Sequence, residues 1–445
     1  MDESSGRSTP ATGEHAITPR TKRGVFYGWW IVGAGVLTQY AYSIVFNANY
    51  GVYVYAMGAE MGWSRTALSA VQSVGRIPEA LVGVSLGPTI DRYGTRWIVA
   101  VGALAMGGSL IALSTIQNLW ELYLYRGIIM SAGGMALGGF VTVTISNWFF
   151  AKRGRALGIV SAGASLGNAT LPLLTAFLIE LAGWRVSWVV QGILILVLAI
   201  PAVILFRRRP EDIGLRPDGV DPTAAERPAT ERESRVAREM AEKDIIWTRG
   251  DALRTSAFWF TAIAYGTSAM AQTATNLHLF PYFQDLGFPV MLAAAAVSFR
   301  GVLAVLMAPV WGIAVDRLPL RTVQIMPFAL QGLSMMLYFL FPTPAGALAG
   351  VVLYGLGAGG GGVLRETIWA HFFGRISLGA VRTAAYPIES LMSAAGPLAM
   401  GATFDLFGSY TFGWIGLFIT FVVAIALVQF ARTPRPPVRR DASSA

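Results

Sequence analysis

The chain has 445 residues, of which 54% are hydrophobic and only 13% are charged, and its formal net charge is +9. Soluble proteins carry about 25% charged residues, so this composition, with a mean hydropathy of +0.54, predicts an integral membrane protein rather than a soluble enzyme. The sequence contains no cysteine, which excludes disulfides, thiolate metal sites and cysteine nucleophiles.

Residues 1–25 are polar and lack the apolar core of a signal peptide, so we expect a disordered tail there. Twelve apolar segments follow, each long enough to cross about 30 Å of hydrocarbon as a helix. Open strands cannot satisfy their backbone groups in lipid, so the sequence predicts an all-α integral membrane protein. The segments cover 27–53, 66–89, 97–115, 120–146, 156–181, 186–206, 257–283, 290–314, 323–341, 345–370, 378–403 and 410–431.

One long polar segment, 207–255, separates six of these helices from the other six. The sequence therefore predicts an N-terminal six-helix bundle over 26–206, a cytoplasmic linker over 207–255, a C-terminal bundle over 256–432 and a tail over 433–445. Most of the 34 Lys and Arg residues fall in the termini, the linker and the loops after even-numbered helices. This asymmetry predicts that both termini are cytoplasmic, so the net charge is an orientation signal and not a nucleic-acid site.

The second half of the chain repeats features of the first half at an offset of 225 residues. Internal repeats of this kind are typical of secondary transporters, in which two helix bundles face each other across a central path. The matched pairs are Gly62 with Gly287, Gly87 with Gly312, Asp91 with Asp316, Arg92 with Arg317, Arg96 with Arg321, and Gly183 with Gly408.

Two loops at the ends of the second and eighth segments carry a recognisable motif. The G-x-x-x-D-R-x-G-x-R run at 87–96, with a weaker copy at 312–321, resembles the signature loop of the major facilitator superfamily. The strings FYGWWIV at 26–32 and DLFGSY at 405–410 resemble its bacterial monocarboxylate transporter and oxalate/formate antiporter group. The aromatic string could also be a generic interfacial belt.

The resemblance implies twelve transmembrane helices in two pseudo-symmetric bundles that transport by alternating access in the bacterial inner membrane. The two loops would then act as a gate that stabilises the outward-open state. The gating residues would be Asp91, Arg92, Arg96, Asp316, Arg317 and Arg321.

Arg300 and Arg76 lie inside predicted spans, where an ionisable side chain is costly unless it has a function or a partner. At 1.5 Å per residue, Arg76 lies roughly 22 Å from Asp91 along its helix, near mid-membrane. Arg300 is one position from the mate of Arg76 at the offset of 225. In the group that the chain resembles, the basic residue of the eighth helix binds the carboxylate, so Arg300 is expected to bind substrate. A structural arginine that caps helix carbonyls is the alternative.

Two intramembrane carboxylates are candidates for coupling. Glu79 is three residues after Arg76 and could pair with it, which would leave Arg76 structural, or could take up a proton and release Arg76 as a second substrate cation. Glu389 could be a counter-ion or a proton acceptor. Beyond Arg382 the eleventh segment has no Lys or Arg, which argues against oxalate-like dianions by comparison with the group.

Neutral and weakly basic side chains could complete a polar site. His278 is either an external proton or carboxylate sensor or a histidine hydrogen-bonded between helices. We interpret Arg126 as an interfacial anchor. The glycine-rich stretch 355–362 is expected to allow close helix packing and bending. The remaining substrate-binding candidates are Tyr354, Tyr40, Tyr42, Asn49 and Gln272.

We therefore predict a secondary transporter of a small, lactate-like organic monocarboxylate, driven by proton coupling or anion exchange. An exporter of amphipathic drugs or another organic solute is the alternative. No cofactor or metal is expected, and the spans contain no constellation of catalytic residues that would indicate an enzyme. The expected partners are the organic anion, protons and the lipid bilayer, with no nucleic acid, and the chain is expected to be a monomer.

Overall fold

The computed structural model describes residues 26–44, 48–93, 95–149, 152–216, 218, 247–374 and 377–434. Within these ranges the predicted apolar segments fall on helices, and no strand occurs; the segment 120–146 is divided among several α-helices and a π-helix. The all-α prediction is therefore confirmed. The tail predicted at 1–25, most of the linker and most of the C-terminal tail lie outside the described residues.

The N-terminal half is built from eight α-helices and one π-helix in its described part. Gly183 has a non-helical backbone and divides α8 into two antiparallel pieces. The elements are α1 (Tyr27–Ser43), α2 (Ala48–Met61), α3 (Arg65–Tyr93), α4 (Thr95–Leu113), α5 (Leu119–Leu122), the π-helix (Tyr123–Ile129), α6 (Met130–Gly138), α7 (Val141–Trp148) and α8 (Arg153–Leu205).

The C-terminal half begins with a short helix in the linker and continues with seven longer ones. They are α9 (Arg249–Leu253), α10 (Ser256–Asp285), α11 (Val290–Arg317), α12 (Leu320–Leu340), α13 (Pro344–Ala358), α14 (Gly361–Phe373), α15 (Leu378–Phe407) and α16 (Thr411–Phe430). The predicted bend in the glycine-rich stretch is present, because α13 ends and α14 begins on either side of Gly359 and Gly360.

The start of α9 is fixed by a capping box. Thr248 Oγ1 accepts a hydrogen bond from the Asp251 backbone N–H at 3.2 Å, and the Thr248 N–H donates back to Asp251 Oδ2 at 3.3 Å. The Thr248 hydroxyl also donates to Asp251 Oδ2 at 2.6 Å, and these hydrogen bonds hold the pKa of Asp251 below its usual value. The linker therefore re-enters the fold with a defined geometry just before α10.

In the described part of the chain, six helical stretches combine the length and the apolar composition that a membrane crossing requires. They cover Thr95–Leu113, Leu119–Trp148, Arg153–Leu205, Val290–Arg317, Leu320–Leu340 and Thr411–Phe430. Large apolar side chains such as Leu181 (69% exposed), Ile193 (50%) and Phe430 (67%) lie on the protein surface, as expected for contact with lipid. That all twelve predicted segments cross the bilayer stays a prediction.

Each half has its own hydrophobic core. The N-terminal core includes Trp148 and the stacked pair Tyr53 and Trp188, whose ring centroids are 3.5 Å apart. The C-terminal core includes Trp369 and Trp414. These two cores give the pseudo-symmetric pair of bundles that the repeat predicted.

Four glycines in the left-handed region mark the same turns in both halves. Gly62 (φ 68°) matches Gly287 (φ 80°), and Gly183 (φ 83°) matches Gly408 (φ 65°). A side chain would strain the backbone at such angles, so glycine is favoured there. The offset of 225 residues seen in the sequence therefore corresponds to equivalent turns in the structure.

Helix direction defines two faces of the molecule. The linker face contains the start of α1 and the end of α8, joined by a hydrogen bond from the Tyr27 hydroxyl to the Leu205 carbonyl at 2.9 Å. It also contains the start of α10 and the ends of α11 and α16. The opposite face, here called the distal face, contains the four turns marked by glycine.

Candidate functional site

A cavity of about 410 Å³ lies between the two halves, where α8 faces α10, α11 and α13. Its walls combine small apolar residues with one arginine and several neutral polar side chains. None of the described residues that line it is acidic. The polar lining consists of Ser165, Asn168, Gln272, Asn276, Arg300 and Tyr354.

Glycines let the helices around this cavity approach closely. A Cβ atom at Gly301 of α11 would lie 3.2 Å from the Asn168 carbonyl oxygen of α8. A Cβ at Gly355 of α13 would lie 3.1 Å from the Arg300 carbonyl oxygen. Both separations are tight for a side chain, so the absence of one at each position brings Asn168 and Tyr354 next to Arg300.

Arg300 is the only charged residue among the described residues that line this cavity. It is 6% exposed, and its Nη2 donates to Asn276 Oδ1 at 2.5 Å. Its guanidinium carbon lies 5.1 Å from the centroid of the Tyr354 ring, which is within cation–π range. Nη1 is buried and has no hydrogen-bond partner among the described residues. Arg300 therefore brings an unpaired donor and a positive charge to a cavity whose described lining contains no counter-ion.

This arrangement suits a small anion. A guanidinium presents parallel N–H donors that match the two oxygens of a carboxylate. The amides of Gln272, Asn276 and Asn168 can donate to or accept from further polar groups on the same molecule.

Three predicted residues, Arg300, Tyr354 and Gln272, meet in this cavity. Sequence reasoning missed Asn276, Asn168 and Ser165. Asn276 could have been found, because it is four residues after Gln272 and so lies on the same helix face. Asn168 and Ser165 carry no comparable signal, since neutral polar residues recur along α8.

His278 is not among the described residues that line the cavity, and its role in substrate binding stays a prediction. It is fully buried near the distal face, with Nδ1 2.9 Å from the Tyr410 hydroxyl. Nε2 lies 3.0 Å from the Pro397 carbonyl oxygen and 3.1 Å from Ser69 Oγ. These contacts match the alternative of a histidine bonded between helices.

Asn49 and Tyr40 also lie away from the cavity lining. Asn49 Nδ2 donates to Gln191 Oε1 at 2.9 Å, and its Oδ1 accepts from Thr175, all inside the N-terminal bundle. The Tyr40 hydroxyl lies 3.0 Å from Thr170 Oγ1. Their side chains hold helices of one half together.

Arg76 and Glu79 form the predicted ion pair, with Nη1 3.2 Å from Oε2 and both side chains less than one-fifth exposed. Tyr42 and Glu79 line a small pocket in the N-terminal half, away from the Arg300 cavity. Tyr42 therefore lies near the coupling candidate Glu79 and is not among the described residues that line the Arg300 cavity.

Arg126 is not an interfacial anchor, because it is only 2% exposed. Its Nη2 donates to Gln72 Oε1 at 3.0 Å, and its guanidinium carbon lies 4.3 Å from the centroid of the Tyr50 ring. It belongs to the π-helix (Tyr123–Ile129), an irregularity often found at functional sites. Counting residues from a helix end gave its depth but not the direction in which its side chain points.

Glu389 is a counter-ion to two arginines. Its side chain is 5% exposed and lies 3.2 Å from Arg365 Nη1 and 2.7 Å from Arg382 Nη1. Arg382 Nε also lies 3.3 Å from Glu366 Oε1. The four side chains form one network with balanced charge between α14 and α15.

The predicted gating residues lie at the linker face. Arg96, Asp316, Arg317 and Arg321 are exposed there. The side chains of Asp91 and Arg92 lie outside the described residues. The role of these six residues as a gate stays a prediction.

The distal face is closed by contacts between the halves, which we call the distal latch (Arg65, Asp285 and Asp405). Arg65 Nη1 and Nη2 donate to the Asp285 carboxylate at 2.6 and 2.7 Å. The backbone N–H groups of Arg65 and Thr66 donate to Asp405 at 3.1 and 2.8 Å. The guanidinium also lies 3.6 Å from the Phe404 ring centroid. The start of α3 is thus held by the ends of α10 and α15.

The two halves therefore enclose a central cavity and close one face of the bundle, and the sequence matches a known family over most of its length. The family model of the Major Facilitator Superfamily matches residues 31–397. The chain belongs to the major facilitator superfamily. It is therefore a membrane transporter and not an enzyme.

The curated relatives include transporters of different kinds. The chain is 29% identical to a probable L-galactonate transporter of Escherichia coli over 34% of its length and 33% of that protein. It is 27% identical to monocarboxylate transporter 1 of Bos taurus over 45% of its length and 38% of that protein. It is 27% identical to a fujikurins efflux protein of Gibberella fujikuroi over 29% of its length and 27% of that protein. The matched stretch is under half of each relative.

Solved structures share the fold. A bacterial homologue of the human lysosomal transporter Spinster, in an inward-facing and unoccupied conformation, has a TM-score of 0.72 to this chain at 15% identity. The similarity covers 92% of this chain and 97% of that one. At this identity it establishes the fold alone.

Proposed function

We propose that this transporter binds a small organic monocarboxylate at Arg300 and moves it across the membrane by alternating access. The observation that carries the proposal is the buried Nη1 donor of Arg300, which has no hydrogen-bond partner among the described residues. Because none of the described lining residues is acidic, this donor favours an anionic ligand. A single guanidinium matches a single carboxylate. The names of two relatives, which refer to a monocarboxylate and to a sugar acid, agree with this substrate class.

The distal latch supports the alternating-access part of the proposal. With the distal face closed, the bound acid would leave the cavity towards the linker face. The distribution of Lys and Arg supports a cytoplasmic linker face and cytoplasmic termini. We place the two bundles at 26–206 and 256–432 in the bacterial inner membrane, joined by the linker 207–255, and treat this state as inward-open.

Coupling would fall to Glu79 in preference to Glu389. Glu389 is held by two arginines, at 3.2 and 2.7 Å, whereas Glu79 pairs with Arg76 at 3.2 Å and lines a small pocket. Uptake of a proton by Glu79 would remove the negative charge from its ion pair with Arg76. Anion exchange would need neither carboxylate to change its charge.

Two substitutions test the carboxylate site in proteoliposomes. Arg300→Lys keeps the charge and removes the planar fork, and we expect the KM for a short monocarboxylate to rise about 30-fold or more. In the parent protein the amide oxygen of Asn276 accepts a hydrogen bond from Arg300. Asn276→Asp replaces this amide by a carboxylate, which would occupy the guanidinium in place of the substrate. This variant should lose uptake while its thermal stability is maintained, since the buried guanidinium gains a counter-ion.

Gln117→Glu is the matched control for Asn276→Asp, because it makes the same amide-to-acid change at an exposed position of a distal turn. It should transport like the parent protein. Uptake of short monocarboxylates by both Arg300→Lys and Asn276→Asp at the parental rate would refute the site.

An exporter of amphipathic organic solutes is the second candidate, favoured by the efflux protein among the relatives and by the apolar residues of the cavity wall. Competition separates the two proposals. Short carboxylates should displace the substrate from a monocarboxylate carrier, whereas lipophilic cations should displace it from a drug exporter.

A further inference from the structure

A second cavity, of about 310 Å³, lies at the linker face where the start of α12 meets the ends of α14 and α16. It shares no lining residue with the Arg300 cavity. Its polar lining includes Arg321, Gln324 and His371, and its apolar lining includes Ile368, Phe372 and Val428. The transport path proposed above does not use it.

Gln324 is the unusual side chain of this cavity. It is 1% exposed, yet neither its Nε2 nor its Oε1 has a hydrogen-bond partner among the described residues. Buried amide groups without partners are rare in folded proteins. A ligand that satisfied this side chain would have to accept a hydrogen bond from Nε2 and donate one to Oε1.

The charge of the cavity selects an anion. Arg321 and His371 are exposed at its opening, and none of the described residues that line it is acidic. Its apolar wall continues onto helices with exposed apolar side chains, namely Met326 of α12 (42% exposed) and Phe430 of α16 (67%). An amphipathic anion would match both the polar opening and the apolar wall.

We propose that this cavity binds the head group of an anionic membrane lipid, a phosphate diester that carries free hydroxyl groups. Arg321 would bind the phosphate, as guanidinium groups commonly do. A head-group hydroxyl would donate to Gln324 Oε1, and Nε2 would donate to a phosphate or hydroxyl oxygen. The acyl chains would lie along α12 and α16. A choline or ethanolamine head group would bring a cation next to Arg321 and is disfavoured.

Soluble short-chain lipids test this proposal on the purified full chain in detergent. Dihexanoyl phosphatidylglycerol should raise the apparent melting temperature by about 2 °C or more, whereas dihexanoyl phosphatidylcholine and phosphatidylethanolamine should not. Glycerol phosphate and inorganic phosphate serve as probes without acyl chains. No transported substrate is present, so the result does not depend on the proposed function.

Two variants localise the effect. Arg321→Gln and Gln324→Leu should each abolish the response to phosphatidylglycerol, and Gln324→Leu should be at least as stable as the parent without lipid, because it removes two unpaired buried atoms. Arg317→Gln removes one exposed charge of the same loop and should keep the full response.

Three results would overturn the proposal. A full response in Gln324→Leu would show that the lipid binds elsewhere. An equal response to phosphatidylcholine would refute the selection of an anion. An equal response to glycerol phosphate would assign the cavity to a free phosphate ester in place of a lipid.

Discussion

Buried charged side chains in this transporter differ in whether a counter-charge lies beside them. Glu389 and Arg382 each have two oppositely charged neighbours, at distances of 2.7 to 3.3 Å. Arg300 has an amide and an aromatic ring instead. Paired groups stabilise one arrangement of helices, whereas an unneutralised cation is available to an incoming anion.

Removing the charge of Glu389 should therefore affect stability strongly. Glu389→Gln leaves Arg365 and Arg382 with only Glu366 to balance them, and we expect a loss of about 3 kcal/mol in the free energy of unfolding. Glu366→Gln is the matched control, because Glu366 is 55% exposed, and it should cost under about 1 kcal/mol. Thermal unfolding of the two variants in the same detergent measures the difference. Equal melting temperatures would contradict the importance of burial at Glu389.

At the scale of single residues, the sequence predicted the one charged residue among the described lining of the candidate site, but only some of its neutral polar residues. Arg300 was identifiable because an arginine inside an apolar segment is costly and rare. Asn168 and Ser165 were not, because a neutral polar residue in a helix is common and its sequence does not tell which way it faces. The direction of Arg126 was missed for the same reason.

At the scale of helices, the distal latch holds α3 against α10 and α15. Its contacts join residues 220 and 340 positions apart in the chain. No local sequence pattern could have predicted these contacts, because a charged residue near the end of a helix is common and does not indicate its partner. The closure of the distal face became visible only once the two halves were packed together.

Breaking the latch should open the distal face. Arg65→Gln removes the bridge between the halves, whereas Arg185→Gln removes an ion pair with Glu60 that lies within the N-terminal half. The chain has no cysteine. Spin labels would therefore react only with the two cysteines introduced by Ala59→Cys and Leu406→Cys. Arg65→Gln should shift the distance distribution between the labels to longer values.

The Arg185→Gln control should leave that distribution unchanged. If both variants gave the parental distribution, the latch would not be what holds this face closed.

At the scale of the whole molecule, the fold was predictable and the state was not. Apolar segments of membrane length and the repeat at 225 residues indicated the two bundles, and the matched glycine turns agree with them. Which face is closed depends on the balance of contacts between the bundles, and a transporter sequence must encode both alternatives. The signature loops predicted a gate that stabilises the outward-open state, but the contacts that close the distal face in this structure could not be predicted from the sequence.

The missing counter-charge of Arg300 has a consequence for how membrane voltage acts on this carrier. Binding of a monocarboxylate would change the net charge of the central site by one unit, so the loaded and the empty carrier would respond differently to the potential. One charge that crosses the full field is worth about 2.3 kcal/mol per 100 mV, and a site at mid-depth would experience part of that. Exchange of acid for acid should therefore respond less to an imposed potassium diffusion potential than net uptake does. Flux measurements in proteoliposomes with valinomycin compare the two modes, and equal sensitivity would mean that another group neutralises the empty site.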